Sequence, residues 1–142
     1  MTATKKHYLS DHAPEAIEAF WNQIDITPVN EFFAKLLKLP VALEKGVARN
    51  YSNKPYYYLS DDTNIAGTNP VIFAAFKKMT ITTHGGLEAD ENTGELYYWA
   101  SVHLNYDHQG GGSNGAKIGY IRFSKGKWEI ESEEERNRKW NN

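Results

Sequence analysis

A chain of 142 residues without cysteine has no disulfides and no thiolate metal ligands, yet it is long enough to bury a core as one domain. Its formal net charge of −2 gives no electrostatic case for nucleic acid, and no apolar run approaches the roughly 18 residues of a membrane span. The chain is rich in aromatic residues, at 13%, and their large contact area and polar tips suit pockets and interfaces.

These properties, together with the lack of an apolar signal segment after Met1, predict a cytoplasmic protein. We expect one domain over residues 1–142, with a loose lead-in over residues 1–9. No cofactor, no membrane contact and no nucleic-acid contact is predicted.

Two amphipathic helices are predicted near the start of the chain, because apolar residues recur there at helical spacing. Ser10 or Asp11 is the predicted N-cap of the first helix. Thr27 caps the second, Pro28 occupies its first position, and Pro40 stops it. The apolar stripes are Ala13, Ile17, Phe20, Trp21 and Ile24 in the first helix, and Val29, Phe32, Phe33, Leu36 and Leu37 in the second.

The middle of the chain is less regular. Residues 41–54 are ambiguous, since 41–50 fits either a short strand or a continued turn, whereas Pro55–Leu59 has the composition of a strand. Residues 60–64 read as a turn. A brief third helix is expected to begin at Thr68 or Asn69 before Pro70, with the apolar residues Val71, Ile72, Phe73 and Phe76.

An antiparallel sheet is predicted from Met79 onward, and Leu96–Tyr106 is its clearest strand. The even residues of that strand are apolar or aromatic, and its odd residues have polar tips, so they alternate between two faces. Polar loops are expected over 84–94 and over the glycine-rich 107–115, with a strand over 116–123 between the second loop and a final hairpin.

The sequence of the final hairpin predicts how its two strands pair. With Lys125 and Gly126 as turn residues, Phe123 faces Trp128 and Arg122 faces Glu129 on the opposite side. The core face then contains Ile121, Phe123, Trp128 and Ile130, joined by the even residues of 96–106. After the hairpin, 132–142 fits either a short helix capped by Ser132, with Glu134–Arg138 and Glu135–Lys139 pairs, or a frayed tail.

This element order is typical of an α+β fold in which N-terminal helices pack on a curved antiparallel β-meander. The opening segments Ala16–Trp21 and Phe32–Leu37, Tyr58–Asp62 and the ending Gly126–Ile130 resemble the NTF2-like (SnoaL-like) superfamily of cone-shaped domains. The resemblance implies a cone-like, NTF2/cystatin-like fold with a pocket between sheet and helices, and dimerisation through the outer sheet face. A plain helix-plus-meander fold, including one peculiar to mobile genetic elements, is the alternative.

Asp62 is the candidate catalytic residue, because a carboxylate in an apolar pocket can act as a general base. An acid near this point sometimes has that role in the family that the chain resembles. Turn chemistry is the competing explanation for Asp61 and Asp62. Tyr57, Tyr98 and Trp128 are the candidate ligand-binding residues, with tyrosine hydroxyls as hydrogen-bond donors.

The outer face, opposite the core face, predicts an interface instead. Its members are Tyr97, Trp99 and His103 of the long strand and Tyr120 and Arg122 of the strand that follows. No metal site is predicted, because one strand cannot aim His103, Asp107 and His108 at one point. The glycine run lacks the lysine of a phosphate-binding P-loop.

Two functions fit these patterns. The first is a homodimeric domain that binds a small apolar or aromatic ligand, with isomerase-, dehydratase- or cyclase-type proton transfer as its natural chemistry. The alternative is a non-enzymatic interaction or inhibitor protein, of phage or mobile-element type, that binds a macromolecule through an exposed aromatic sheet face.

Overall fold

The protein has an α+β fold, as the sequence predicts. The structure, a computed structural model, describes residues 5–61, 71 and 74–141. The helices are a 3₁₀ turn at Leu9–Asp11, α1 (Pro14–Gln23), α2 (Thr27–Leu37) and α3 (Glu133–Asn141). The strands are β1 (Glu44–Arg49), β2 (Pro55–Asp61), β3 (Phe76–Ala89), β4 (Leu96–His108), β5 (Ser113–Ser124) and β6 (Lys127–Ser132). None of the described helices is long and apolar enough to cross a membrane.

The six strands form one antiparallel meander whose spatial order is the order of the chain. Its pairing shifts register at two places. Lys77 is an extra residue opposite β4, and Ile118 is an extra residue between the partners of Val102 and His103. Such bulges bend a strand and increase its twist, so they contribute to the curvature of the meander.

One face of the sheet, the inner face, packs against α1 and α2. Trp21 from α1 contacts the rings of Tyr57 and Tyr98, with centroid distances of 5.4 and 5.0 Å. Phe33 from α2 lies over Gly119, where an added Cβ would come within 2.7 Å of the Phe33 ring. A glycine in β5 therefore allows α2 to approach the sheet closely.

The final hairpin has the predicted register. Phe123 pairs with Trp128, and Arg122 with Glu129. Lys125 and Gly126 both have positive φ, 53° and 74°, as expected for a two-residue type I′ turn. The predicted alternation of β4 is also confirmed, since the inner face buries Tyr98, Ala100 and Val102.

The predicted loop over 84–94 is wrong, because β3 continues to Ala89. The pair Gly85-Gly86 suggests a turn from sequence, but here it lies inside the ladder, opposite Ala100 and Trp99. A Cβ at Gly85 would overlap the Trp99 carbonyl, so this glycine permits a close approach of two strands. The second predicted loop is also too long, since only residues 109–112 separate β4 from β5.

The third predicted helix lies largely outside the described residues. Of its apolar set, Val71 is exposed, and Phe76 begins β3 and packs against the rings of Tyr106 and His108. The prediction for Phe76 is wrong because its ring contacts come from a strand pairing distant in sequence. The ambiguous segment 41–54 contains β1, at Glu44–Arg49.

The predicted helix caps have mixed outcomes. Ser10 and Asp11 belong to the 3₁₀ turn, and Ala13 is the N-cap of α1. Thr27 is the first residue of α2, and its N–H donates to the Asp25 carboxylate at 3.0 Å. Of the two alternatives that the sequence left open for the C-terminal segment, the structure has the helix, and Ser132 Oγ caps it by accepting the Glu135 N–H at 3.1 Å.

Candidate functional site

A groove of about 870 Å³ opens on the outer face, the side of the sheet opposite α1 and α2. The long strands β3, β4 and β5, the edge strand β6 and the last turns of α3 contribute to its lining. Its lining includes Tyr97, Trp99, Tyr120, Arg122, Arg136 and Lys139. The groove therefore brings together four of the five residues that the sequence predicts as an interface.

Strand register sets the floor of this outer groove. Trp99, Arg122 and Glu129 of its lining form one row across β4 to β6, and Gly86 of β3 continues this row just outside the lining. Trp99 is 39% exposed, and a Cβ added to Gly86 beside it would meet nothing within 4 Å. The indole thus stands next to open space because its cross-strand neighbour has no side chain.

One wall of the outer groove is a cluster of Tyr97, Arg122 and Glu88. The Arg122 guanidinium carbon lies 4.1 Å from the Tyr97 ring centroid, a cation–π distance. The Tyr97 hydroxyl donates to Glu88 Oε2 at 2.8 Å. Burial raises the pKa of Tyr97, and the hydrogen bond to Glu88 acts in the same direction, so the phenol remains a donor at neutral pH.

The opposite wall is α3, and Glu131 of β6 anchors it. Glu131 accepts hydrogen bonds from Arg136 at 3.1 Å and from Lys139 at 2.9 Å. The hydrogen bond from Lys139 lowers the pKa of Glu131, and Arg136 reinforces this effect. The Arg136 guanidinium also lies 4.0 Å from the Tyr120 ring centroid. The cations of α3 thus reach back to the sheet and close one side of the groove.

His103 lies on the same outer face, next to the groove but outside its lining. Its ring centroid is 4.5 Å from that of His84, and its Nε2 is 2.9 Å from Ser101 Oγ. Burial lowers the pKa of His103, and His84 and Lys117 act in the same direction, which favours the uncharged imidazole. Within the described ranges, no group of three or more His, Asp or Glu residues is arranged to hold a metal ion.

The candidate ligand-binding residues separate into two groups. Tyr57 and Tyr98 are buried under Trp21 in the core, and burial raises the pKa of Tyr98 to about 12. Trp128 packs against Phe123, donates its indole N–H to the Asp25 carbonyl at 2.7 Å, and also borders the outer groove.

The candidate base Asp62 lies outside the described residues. Its neighbour Asp61 is buried, and the Asp61 carboxylate accepts the Ala42 N–H at 2.9 Å. This bond joins the end of β2 to the segment between α2 and β1, so at least one carboxylate of the pair has a structural contact.

Sequence reasoning missed five charged groove residues as site residues: Glu88, Glu129, Glu131, Arg136 and Lys139. Glu88 lies in the segment that the sequence assigned to a loop. The two cations are one helical turn apart on α3, a spacing that puts both on one face of a helix. That spacing is a signal only if the C-terminal segment is taken as a helix, which the sequence left open.

Comparisons with protein-family models, with curated proteins and with solved structures find no match for this chain. The NTF2-like resemblance therefore stays a prediction. The functional argument rests on the geometry of the groove.

Proposed function

We propose that the protein binds a small molecule, and that the outer groove is the site. The observation that carries this proposal is the open 870 Å³ space beside the exposed indole of Trp99. Small-molecule sites typically have volumes of about 300–1,000 Å³ and combine aromatic walls with a few polar groups. The inner-face tyrosines Tyr57 and Tyr98, in contrast, already pack against Trp21.

The walls of the outer groove support binding because they are held in place before a ligand arrives. Arg122 covers Tyr97, and Arg136 covers Tyr120 while it also pairs with Glu131. Ordering a flexible side chain upon binding costs about 0.5–1.5 kcal/mol. Groups that internal contacts already restrain lose less entropy when a ligand binds.

A homodimer through the outer face is the alternative that we propose. The groove is lined by three acids, Glu88, Glu129 and Glu131, and by three cations, Arg122, Arg136 and Lys139. A surface with both signs of charge can be complementary to a second copy of itself, as a two-fold symmetric interface requires. In that case Trp99 is covered by the partner subunit and not by a ligand.

A ligand-observed saturation-transfer NMR screen of a mixed fragment library tests the proposal. Wild type is compared with Trp99→Ala and with Tyr51→Ala, a control in the exposed turn between β1 and β2. We expect fragments that bind wild type and Tyr51→Ala but not Trp99→Ala. Equal binding to all three proteins would contradict a site at the groove.

Sedimentation equilibrium of the same proteins tests the alternative. A dimeric wild type that becomes a folded monomer upon Trp99→Ala substitution would assign the outer face to self-association. A monomeric wild type would leave the groove open to a ligand.

A further inference from the structure

The indole ring of Trp99 is uncovered, whereas the aromatic rings of its neighbours are covered by arginine side chains. Tyr97 and Tyr120 each have an arginine over the ring, at 4.1 and 4.0 Å. In the described part of the chain, no ring or cation stacks on Trp99 at a comparable distance. Because Gly86 leaves the adjacent position empty, a flat ring can lie against the indole.

The charges in the outer groove favour a neutral ligand. Arg136 and Lys139 are both bonded to Glu131, and Arg122 is stacked on Tyr97, which is bonded to Glu88. The three acids and three cations of the lining balance. A phosphate or carboxylate ligand meets no excess of positive charge, and Glu131 competes with it for the cations of α3.

The polar groups beside Trp99 disfavour a purely apolar ligand. Arg122 lies next to Trp99 in the same row, and Glu129 lies beyond Arg122. Covering a guanidinium and a carboxylate with an apolar surface leaves their hydrogen-bonding capacity unused, which is costly. Adjacent hydroxyls of a sugar both donate and accept, so they match the two-pronged geometry of both groups.

We infer that the outer groove binds a neutral oligosaccharide, with one pyranose ring stacked on Trp99 and its hydroxyls bonded to Arg122 and Glu129. The C–H groups on one face of a pyranose carry partial positive charge, and the face of an indole carries partial negative charge. The groove volume of about 870 Å³ lies at the upper end of the range for small-ligand sites, which leaves space for a second ring. This inference rests on the proposed function of the groove.

The test is a titration of the protein with defined sugars. Binding is measured by isothermal titration calorimetry and by changes in amide chemical shifts. The probes are neutral disaccharides of glucose, mannose, galactose, xylose and N-acetylglucosamine, with inorganic phosphate and benzoate as anionic comparators. We expect at least one disaccharide to bind more tightly than both anions. Trp99→Ala should weaken its affinity at least 10-fold, Trp99→Phe should weaken it less, and Tyr51→Ala should leave it unchanged.

A second variant leaves the indole in place. Gly86→Leu fills the open space beside Trp99, so it should also weaken sugar binding at least 10-fold. This variant keeps the test decisive if Trp99→Ala does not fold. No Trp99- or Gly86-dependent binding of any disaccharide would overturn the inference.

The two proposals fail in different ways. If the fragment screen gives Trp99-dependent binders but no disaccharide binds, the sugar is the wrong ligand class and the groove remains a site. If neither fragments nor sugars bind in a Trp99-dependent manner, both proposals are wrong. A dimer that Trp99→Ala dissociates, without sugar binding, assigns the groove to a second copy of the chain.

Discussion

The two faces of β4 present aromatic residues to different environments. Tyr98 on the inner face is 1% exposed beneath Trp21, whereas the next residue, Trp99, is 39% exposed on the outer face. The difference lies in the covering elements, because α1 and α2 pack on the inner face and α3 borders the outer face at one end only. Aromatic content therefore does not identify a site until the covering elements are known.

If this distinction between the faces holds, truncation of a side chain should cost more stability on the inner face than on the outer one. Phe33 is fully buried over Gly119, and we expect Phe33→Ala to lower the free energy of unfolding by about 3–5 kcal/mol. Urea unfolding followed by circular dichroism measures the loss. Trp99→Ala is the comparison variant, with a smaller expected loss of about 1 kcal/mol, because the indole is already 39% exposed. Similar losses in both variants would mean that the outer face is also part of the core.

Tyr98 provides a pH-dependent test of the inner face. Burial raises its pKa from 10.0 to about 12, so between these values the folded protein keeps a proton that the unfolded chain loses. Stability from this group is complete below pH 10 and is lost as pH rises through 12. Two pKa units correspond to about 3 kcal/mol.

The measurement compares wild type with Tyr98→Phe in urea at pH 9 and at pH 11.5. We expect the free energy of unfolding of wild type to fall more steeply with pH than that of the variant. Equal slopes would mean that Tyr98 ionises as easily in the folded protein as in the unfolded chain, and thus that water reaches its hydroxyl.

Elements with a regular local pattern could be predicted from the sequence. The alternation of β4 and the hairpin at Lys125–Gly126 depend on neighbouring residues, and both are confirmed. The second half of β3 could not be predicted, because Gly85 is required by the backbone of β4 and not by a turn. The contacts of Arg136 and Lys139 with Glu131 likewise depend on how α3 folds back against the sheet.

The adjacent glycines Gly85 and Gly86 of β3 allow the two faces to be compared at the level of one methyl group. A Cβ at Gly85 would overlap the backbone of Trp99 and Ala100, whereas a Cβ at Gly86 would meet nothing within 4 Å. We expect Gly85→Ala to destabilise the protein by about 1–3 kcal/mol, because the strands have to separate to admit the methyl group. Gly86→Ala should change stability by about 0.5 kcal/mol or less. Thermal and urea unfolding of the two variants measure both effects. A destabilised Gly86→Ala protein would indicate that something already fills the space beside Trp99, and that side of the indole would then not be open to a ligand.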